Sequence, residues 1–185
     1  MRKILTQAEI DKKKKKNQFV VGAVMVFLLV VSTLGYSLMS NNDDESSGVS
    51  EFGIKFFKSN GLWRAEIDGG VFGFQNLPSE ILDVNVNISI GLANYSGKVL
   101  YFVSPNNGAS EILNNLGGYV PRYQEACLDA ENCEGDWPIK NCSDNLIIFV
   151  EANETSVYQN GGCVYIAGDG VAGADAFLYE VLKVI

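Results

Sequence analysis

Lys98-Val99-Leu100-Tyr101-Phe102-Val103 is apolar at every position after the lysine. Such a run, with no polar alternation, reads as a strand covered on both faces. A break at Ser104-Pro105-Asn106-Asn107-Gly108 follows. Ser110 can then cap a helix carrying Ile112, Leu113 and Leu116, which ends at Gly117-Gly118. A second dense apolar run, Asn145 to Val150, makes strand–helix–strand over 98–150 a right-handed βαβ unit. That unit decides the fold class: α/β or α+β, a mixed β-sheet with two packed helices, preceded by one N-terminal transmembrane helix.

Outward from it, Thr155–Gln159 and Cys163–Ala167 read as a hairpin across Asn160-Gly161-Gly162, and a closing helix covers roughly Ala172–Leu182. Upstream, Asp83 to Ile90 alternates strictly, with Val84, Val86, Ile88 and Ile90 on one face, which predicts a half-buried strand. Phe52–Lys58 and Leu62–Ile67 flank Ser59-Asn60-Gly61, and Asp68-Gly69-Gly70 turns into Val71–Phe74, a small antiparallel meander. No internal repeat is present.

Phe19 to Met39 is uncharged and apolar, with Lys12 to Lys16 before it and Asp43, Asp44 and Glu45 after it. As a helix at about 1.5 Å per residue it covers a hydrocarbon core of about 30 Å. The chain thus divides into a basic cytoplasmic tail (1–18), a transmembrane helix (19–39), a flexible linker (40–50) and an extracytoplasmic domain (51–185). The tail holds seven basic and two acidic residues, a net of +5. The residues after the span hold 7 basic and 20 acidic, a net of −13. Lysines beside an apolar span stay in the cytoplasm, so the N-terminus is expected inside and the C-terminal domain outside. Thr6-Gln7-Ala8-Glu9 fits a capping box for a short helix in the tail. A cleaved secretory signal fits less well, because the apolar run is too long and Ser32–Ser37 offers a poor cleavage site. A pilin-type signal wants a small residue where Asn17-Gln18 stands and a helix continuing through 40–48.

The acidic domain repels phosphate backbones, which argues against nucleic acid as a partner. The expected partners are the lipid bilayer through the 19–39 helix and a surface protein or glycan. Cys127, Cys133, Cys142 and Cys163 all follow the span, and in an oxidising compartment an even number reads as disulfides. Their spacing lacks the close pairs of structural zinc sites. Of three pairings, the strand directions favour Cys142–Cys163 at one end of the sheet, leaving Cys127–Cys133. Four N-x-[ST] sequons, at Asn87, Asn94, Asn141 and Asn153, are glycosylation candidates, Asn94 and Asn153 foremost because they lie in apparent turns.

Candidates for chemistry are few. Gly168-Asp169-Gly170-Val171-Ala172-Gly173 spells G-x-G-x-x-G, but Ile185 ends the sequence before the second strand and acidic residue of a dinucleotide site. It reads as a glycine-rich turn, and no cofactor is expected. Asp129, Glu131, Glu134 and Asp136 around Cys133 are calcium candidates by ligand type, though not by EF-hand spacing. The chain has no histidine, which removes Ser-His-Asp and Cys-His mechanisms. The remaining enzymatic options are the paired carboxylates of a small surface hydrolase, with Trp63, Trp137 or tyrosines against a sugar, or a Ser-Lys nucleophile. The leading expectation is a binding or cell-envelope structural role without turnover, the alternatives being that hydrolase and a pilin-like subunit.

At Cys142-Ser143-Asp144-Asn145-Leu146-Ile147-Ile148-Phe149, Cys163-Val164-Tyr165-Ile166 and Ala174-Asp175-Ala176-Phe177-Leu178-Tyr179-Glu180-Val181-Leu182 the chain resembles uncharacterised small membrane-anchored archaeal surface proteins. The resemblance covers roughly the last 90 residues and the N-terminal anchor layout. It implies a surface protein and carries over no functional residues.

Overall fold

The computed structural model describes residues 18–32, 48–131, 133 and 135–185. The chain divides into two compact units, Met1–Ser46 and Ser47–Ile185. In the first, residues 18–32 form a helix, α1, whose apolar side chains from Phe19 to Val31 are exposed. Among the described residues no helix is long and apolar enough to cross a membrane. Residues 33–39 of the expected span, most of the tail with its capping box, and linker residues 40–47 lie outside the described residues. The second unit begins at Ser47 and its first strand at Val49.

The second unit is α+β. Strands β1 (Val49–Glu51), β2 (Ile54–Ser59), β3 (Leu62–Ile67) and β4 (Gly70–Phe74) form an antiparallel meander in sequence order. Each of its three turns has two residues in the left-handed region: Phe52-Gly53 (φ 50° and 80°), Asn60-Gly61 (53° and 83°) and Asp68-Gly69 (50° and 78°). Those are the backbone signs of two-residue type I′ turns. Asn60-Gly61 and Asp68-Gly69 announce themselves in the sequence. Phe52 does not, which is why 52–58 reads as one strand when it is a turn and a strand. An aromatic residue is costly at positive φ and Phe52 is largely exposed. Phe52→Asn is therefore expected to stabilise the protein by about 1 kcal/mol, read as a raised denaturation midpoint.

The second sheet has six strands in the order β5-β9-β10-β8-β6-β7. These are β5 (Asn85–Asn87), β6 (Leu100–Val103), β7 (Tyr123–Glu125), β8 (Leu146–Val150), β9 (Ser156–Asn160) and β10 (Cys163–Ala167). Strands β10, β8, β6 and β7 run parallel, while β9 is antiparallel to β10 and β5 is parallel to β9. Among the described residues, three α-helices and a short 3-10 turn (Pro78–Glu80) complete the unit: α2 (Leu92–Tyr95), α3 (Asn107–Leu116) and α4 (Gly170–Val181). The expected βαβ unit is present in altered form. Strand β6 does pair with β8, but α3 first returns the chain to β7 on the other side of β6. β7 is a three-residue edge strand, Tyr-Gln-Glu, with no apolar run to announce it. The expected Ser110 cap gives way to Asn106, whose Oδ1 accepts the Gly108 N–H at 2.9 Å. The alternation at 83–90 persists in burial, yet only Asn85–Asn87 pairs as strand.

The α3–α4 pair lies between the two sheets, and one core joins all three layers. Phe74 of β4 stacks on Tyr179 of α4 at 4.3 Å, and Phe56 of β2 meets the same ring edge-on. On the far side, Gly173 of α4 sits directly against Ile166 of β10. Close helix approach depends on glycine at one point above all. A Cβ on Gly108 would fall inside the radius of the Gly170 carbonyl oxygen and 2.8 Å from Phe149 Cε1.

Polar groups fasten the meander to the helices. Asn115 Nδ2 donates to the Gly73 carbonyl at 2.7 Å while its Oδ1 accepts the Gly73 N–H at 2.8 Å. Asp175 is fully buried, and its Oδ2 accepts the N–H groups of Gln75 and Asn76 and the Asn76 side-chain amide, at 3.1, 2.8 and 2.9 Å. Tyr179 Oη donates to the Asn76 carbonyl at 2.6 Å. Asp175 Oδ1 and Glu111 Oε1 are buried without a hydrogen-bond partner.

Candidate functional site

The outer face of the six-stranded sheet carries a smaller apolar cluster around Tyr101, Leu146, Ile148 and Cys163. The loop from Cys127 to Lys140 is fastened to the β7 side of the sheet. It is closed at its base three ways. Cys127 bonds to Cys133, the Cys127 N–H donates to the Pro138 carbonyl at 3.1 Å, and the Lys140 N–H donates to the Cys127 carbonyl at 2.8 Å. Lys140 then lies over the Tyr101 ring at 4.5 Å and pairs with Asp144 at 3.3 Å. The second disulfide joins Cys142, just ahead of β8, to Cys163, the first residue of β10. Both are the expected pairs, Cys142–Cys163 from strand direction and Cys127–Cys133 by elimination.

Where β6 and β7 end, this loop borders a cleft of about 420 Å³ whose lining includes Ser104, Pro105, Glu125, Leu128, Asp129 and Trp137. The cleft lies at the carboxyl ends of two neighbouring parallel strands, β6 and β7. Trp137 keeps 43% of its surface exposed. A Cβ at Gly135 would meet ring atoms Cδ2 and Cε2 at 2.9 Å and Cε3 at 3.1 Å. Three ring atoms at nearly equal distance mean that the indole lies flat on Gly135. One face is thus backed by the main chain, and Trp137 is among the residues that line the cleft.

The other expected residues are placed as follows. Trp63 is half-buried against the main core with Lys58 Nζ 5.1 Å from its ring centre, away from the cleft. Asp129, Glu131 and Asp136 lie in the loop, and Glu134 is outside the described residues. Among the described residues no group of three or more His, Cys, Asp or Glu is placed to hold a metal ion. The 168–173 glycine motif is a capped turn. Asp169 Oδ1 accepts the Val171 and Ala172 N–H groups at 2.9 and 3.2 Å, occupying the amides that an anion would need. A second, polar groove of about 750 Å³ at the same end of the sheet is lined by Glu80, Asp83, Asn153, Glu154 and Asp169, with no aromatic side chain. Ser104, Glu125 and Gly135 of the cleft carry no sequence signal of their own. Pro105 beside the end of an apolar strand was the nearest cue to Ser104.

Burial raises the Asp175 carboxyl to about 7. The Asn76 and Gln75 N–H donors oppose that rise and the Glu111 charge adds to it. Burial likewise raises the Tyr179 and Tyr95 phenols.

No family model matches the chain, and neither a curated protein nor a solved structure matches it.

Proposed function

We propose that the protein is a single-pass membrane-anchored binding protein, N-terminus inside and the 51–185 domain outside, which holds a glycan of the cell envelope in the cleft above β6 and β7. The anchor reading rests on the apolar 19–39 run beside five lysines, and on an α1 helix that leaves its apolar side chains exposed, as a lipid-facing helix must. Two disulfides and no free cysteine among the described residues suit an oxidising compartment. The likeness to membrane-anchored archaeal surface proteins agrees with both.

The ligand reading is carried by the Trp137 ring, backed by Gly135 and lining the same cleft as Glu125 and Asp129. The C–H face of a sugar ring packs on an indole, and its hydroxyls donate to acceptors such as Glu125, Asp129 and Ser104. The disulfide and the Cys127 main-chain bonds fix the ring before ligand arrives, which lowers the ordering cost of binding. Full-length protein in detergent, titrated with polysaccharide released from the native envelope, is expected to show saturable quenching of tryptophan fluorescence. Trp137→Ala should weaken binding about tenfold, as loss of one stacking contact of about 1.4 kcal/mol implies. Binding indifferent to Trp137→Ala would remove the cleft as the site.

Glu125 and Asp129 bordering one cleft beside an aromatic ring also favour a second reading, a carboxylate hydrolase. Release of new reducing ends from the same polysaccharide, abolished by Glu125→Gln with binding retained, would establish it. Binding without release rejects it.

A further inference from the structure

The rim of the six-stranded sheet opposite the cleft is where β6, β8 and β10 begin and β5 and β9 end. Three of the four sequons, far apart in sequence, meet there. Ser89 of the Asn87 sequon donates through its N–H to Gln159 Oε1 at 2.8 Å, and Gln159 Nε2 donates to the Gly161 carbonyl at 2.7 Å. The next residue, Gly162, donates to the carbonyl of Cys142, the middle residue of the Asn141 sequon, at 2.7 Å. Asn145, three residues past Cys142, donates through Nδ2 to the main-chain carbonyl of Asn94 at 3.4 Å. Hydrogen bonds, joined by the short main-chain steps 161–162 and 142–145, thus connect the sequons of Asn87, Asn141 and Asn94 across this rim. All three side chains are exposed. Asn153 is exposed too, but it lines the polar groove at the other rim.

We infer that this rim is a glycan-bearing surface, modified at Asn87, Asn94 and Asn141. The inference rests on the outward location proposed above. Transfer needs an amide nitrogen that the fold leaves free. Asn141 Oδ1 accepts the Ser143 N–H at 2.9 Å and also the Ser143 hydroxyl, and Asn94 Oδ1 accepts the Gly91 N–H at 3.0 Å. In both, the carbonyl oxygen of the amide is engaged and the residue is exposed. The sugar donor is an oligosaccharide carried on a polyprenyl phosphate. A bond forms between Nδ2 and the anomeric carbon, the anomeric C–O bond to phosphate breaks, the phosphate leaves with the electron pair, and the amide loses one proton to a base. Sugars on this rim point away from the cleft and leave it open. They also cover the ends of β5 and β9, the pair at one edge of the sheet, where unpaired strand groups invite association.

The test is peptide mapping by mass spectrometry of the full-length chain purified from native membranes, with cysteines alkylated before and after reduction. Glycan on two or three of the rim peptides is expected, and Ser89→Ala, Ser96→Ala and Ser143→Ala should each remove the mass of one glycan from the site they serve. Two or three bare rim peptides in protein with both disulfides intact overturn the inference and leave the outward location standing. Bare peptides together with free thiols overturn both.

Discussion

Replacing Asp175 by asparagine is expected to abolish a fall in stability that the wild-type protein undergoes as pH rises from about 4 to about 7. The carboxyl titrates at 3.8 when unfolded and at about 7 when buried in the fold. Between those values the folded state holds a proton that the unfolded state has released, so stability declines as pH rises. The decline is complete once pH passes the folded value. A shift of that size corresponds to about 4 kcal/mol. The cause is burial in the three-layer core with the Glu111 carboxyl nearby, opposed by three N–H donors on Oδ2. Asparagine keeps an acceptor for those donors and has no proton to lose. Denaturant unfolding at pH 4.5 and pH 7.5 should show a wild-type loss that Asp175→Asn lacks. Asp175→Ala strands the donors and should cost about 3 kcal/mol relative to Asp175→Asn at either pH. Parallel wild-type and Asp175→Asn profiles would show that the carboxyl does not carry the effect.

Gly108→Ala is expected to lower stability by about 3 kcal/mol, close to 10 °C in melting temperature for a domain of this size. The obstacle is the Gly170 main-chain carbonyl, which no rotamer change can move aside, with Phe149 directly behind. Relief requires α3 and α4 to separate. Asn106 is caught between them, since it caps α3 and lies against Gly170. The Ser104–Pro105 wall of the cleft would shift with it, so glycan affinity should fall along with stability. Ser110→Ala, on the same helix and exposed, should leave both within about 0.5 kcal/mol of wild type. An unchanged melting temperature for Gly108→Ala would mean that the helices do not approach as described.

Local chemistry made some of this architecture readable in advance. Asn60-Gly61 and Asp68-Gly69 supply the positive φ angles that their turns need, and Leu100–Val103, Leu146–Val150 and Cys163–Ala167 are apolar because both faces are covered. The cysteine pairs followed from strand direction. Properties created by distant contacts were not readable. Asp175 is one of 22 acidic residues, and only its setting, Ala174-Asp175-Ala176-Phe177-Leu178, hints that it is carried into the core. β7 is polar and short because it is an edge. Glu125 belongs to the cleft only because β7 lies beside β6, and Gly135 matters only because an indole rests on it. The meeting of Asn87, Asn94 and Asn141 on one rim likewise depends on the strand order, which turns three scattered motifs into one surface.

Protease added to intact cells, followed by immunoblotting with antibodies against the two ends of the chain, tests whether an apolar anchor holds the acidic, disulfide-linked domain outside the membrane. The C-terminal epitope is expected to disappear while a short membrane-bound N-terminal fragment survives. A full-length chain that resists protease on intact cells and is digested only after lysis would overturn the outward location.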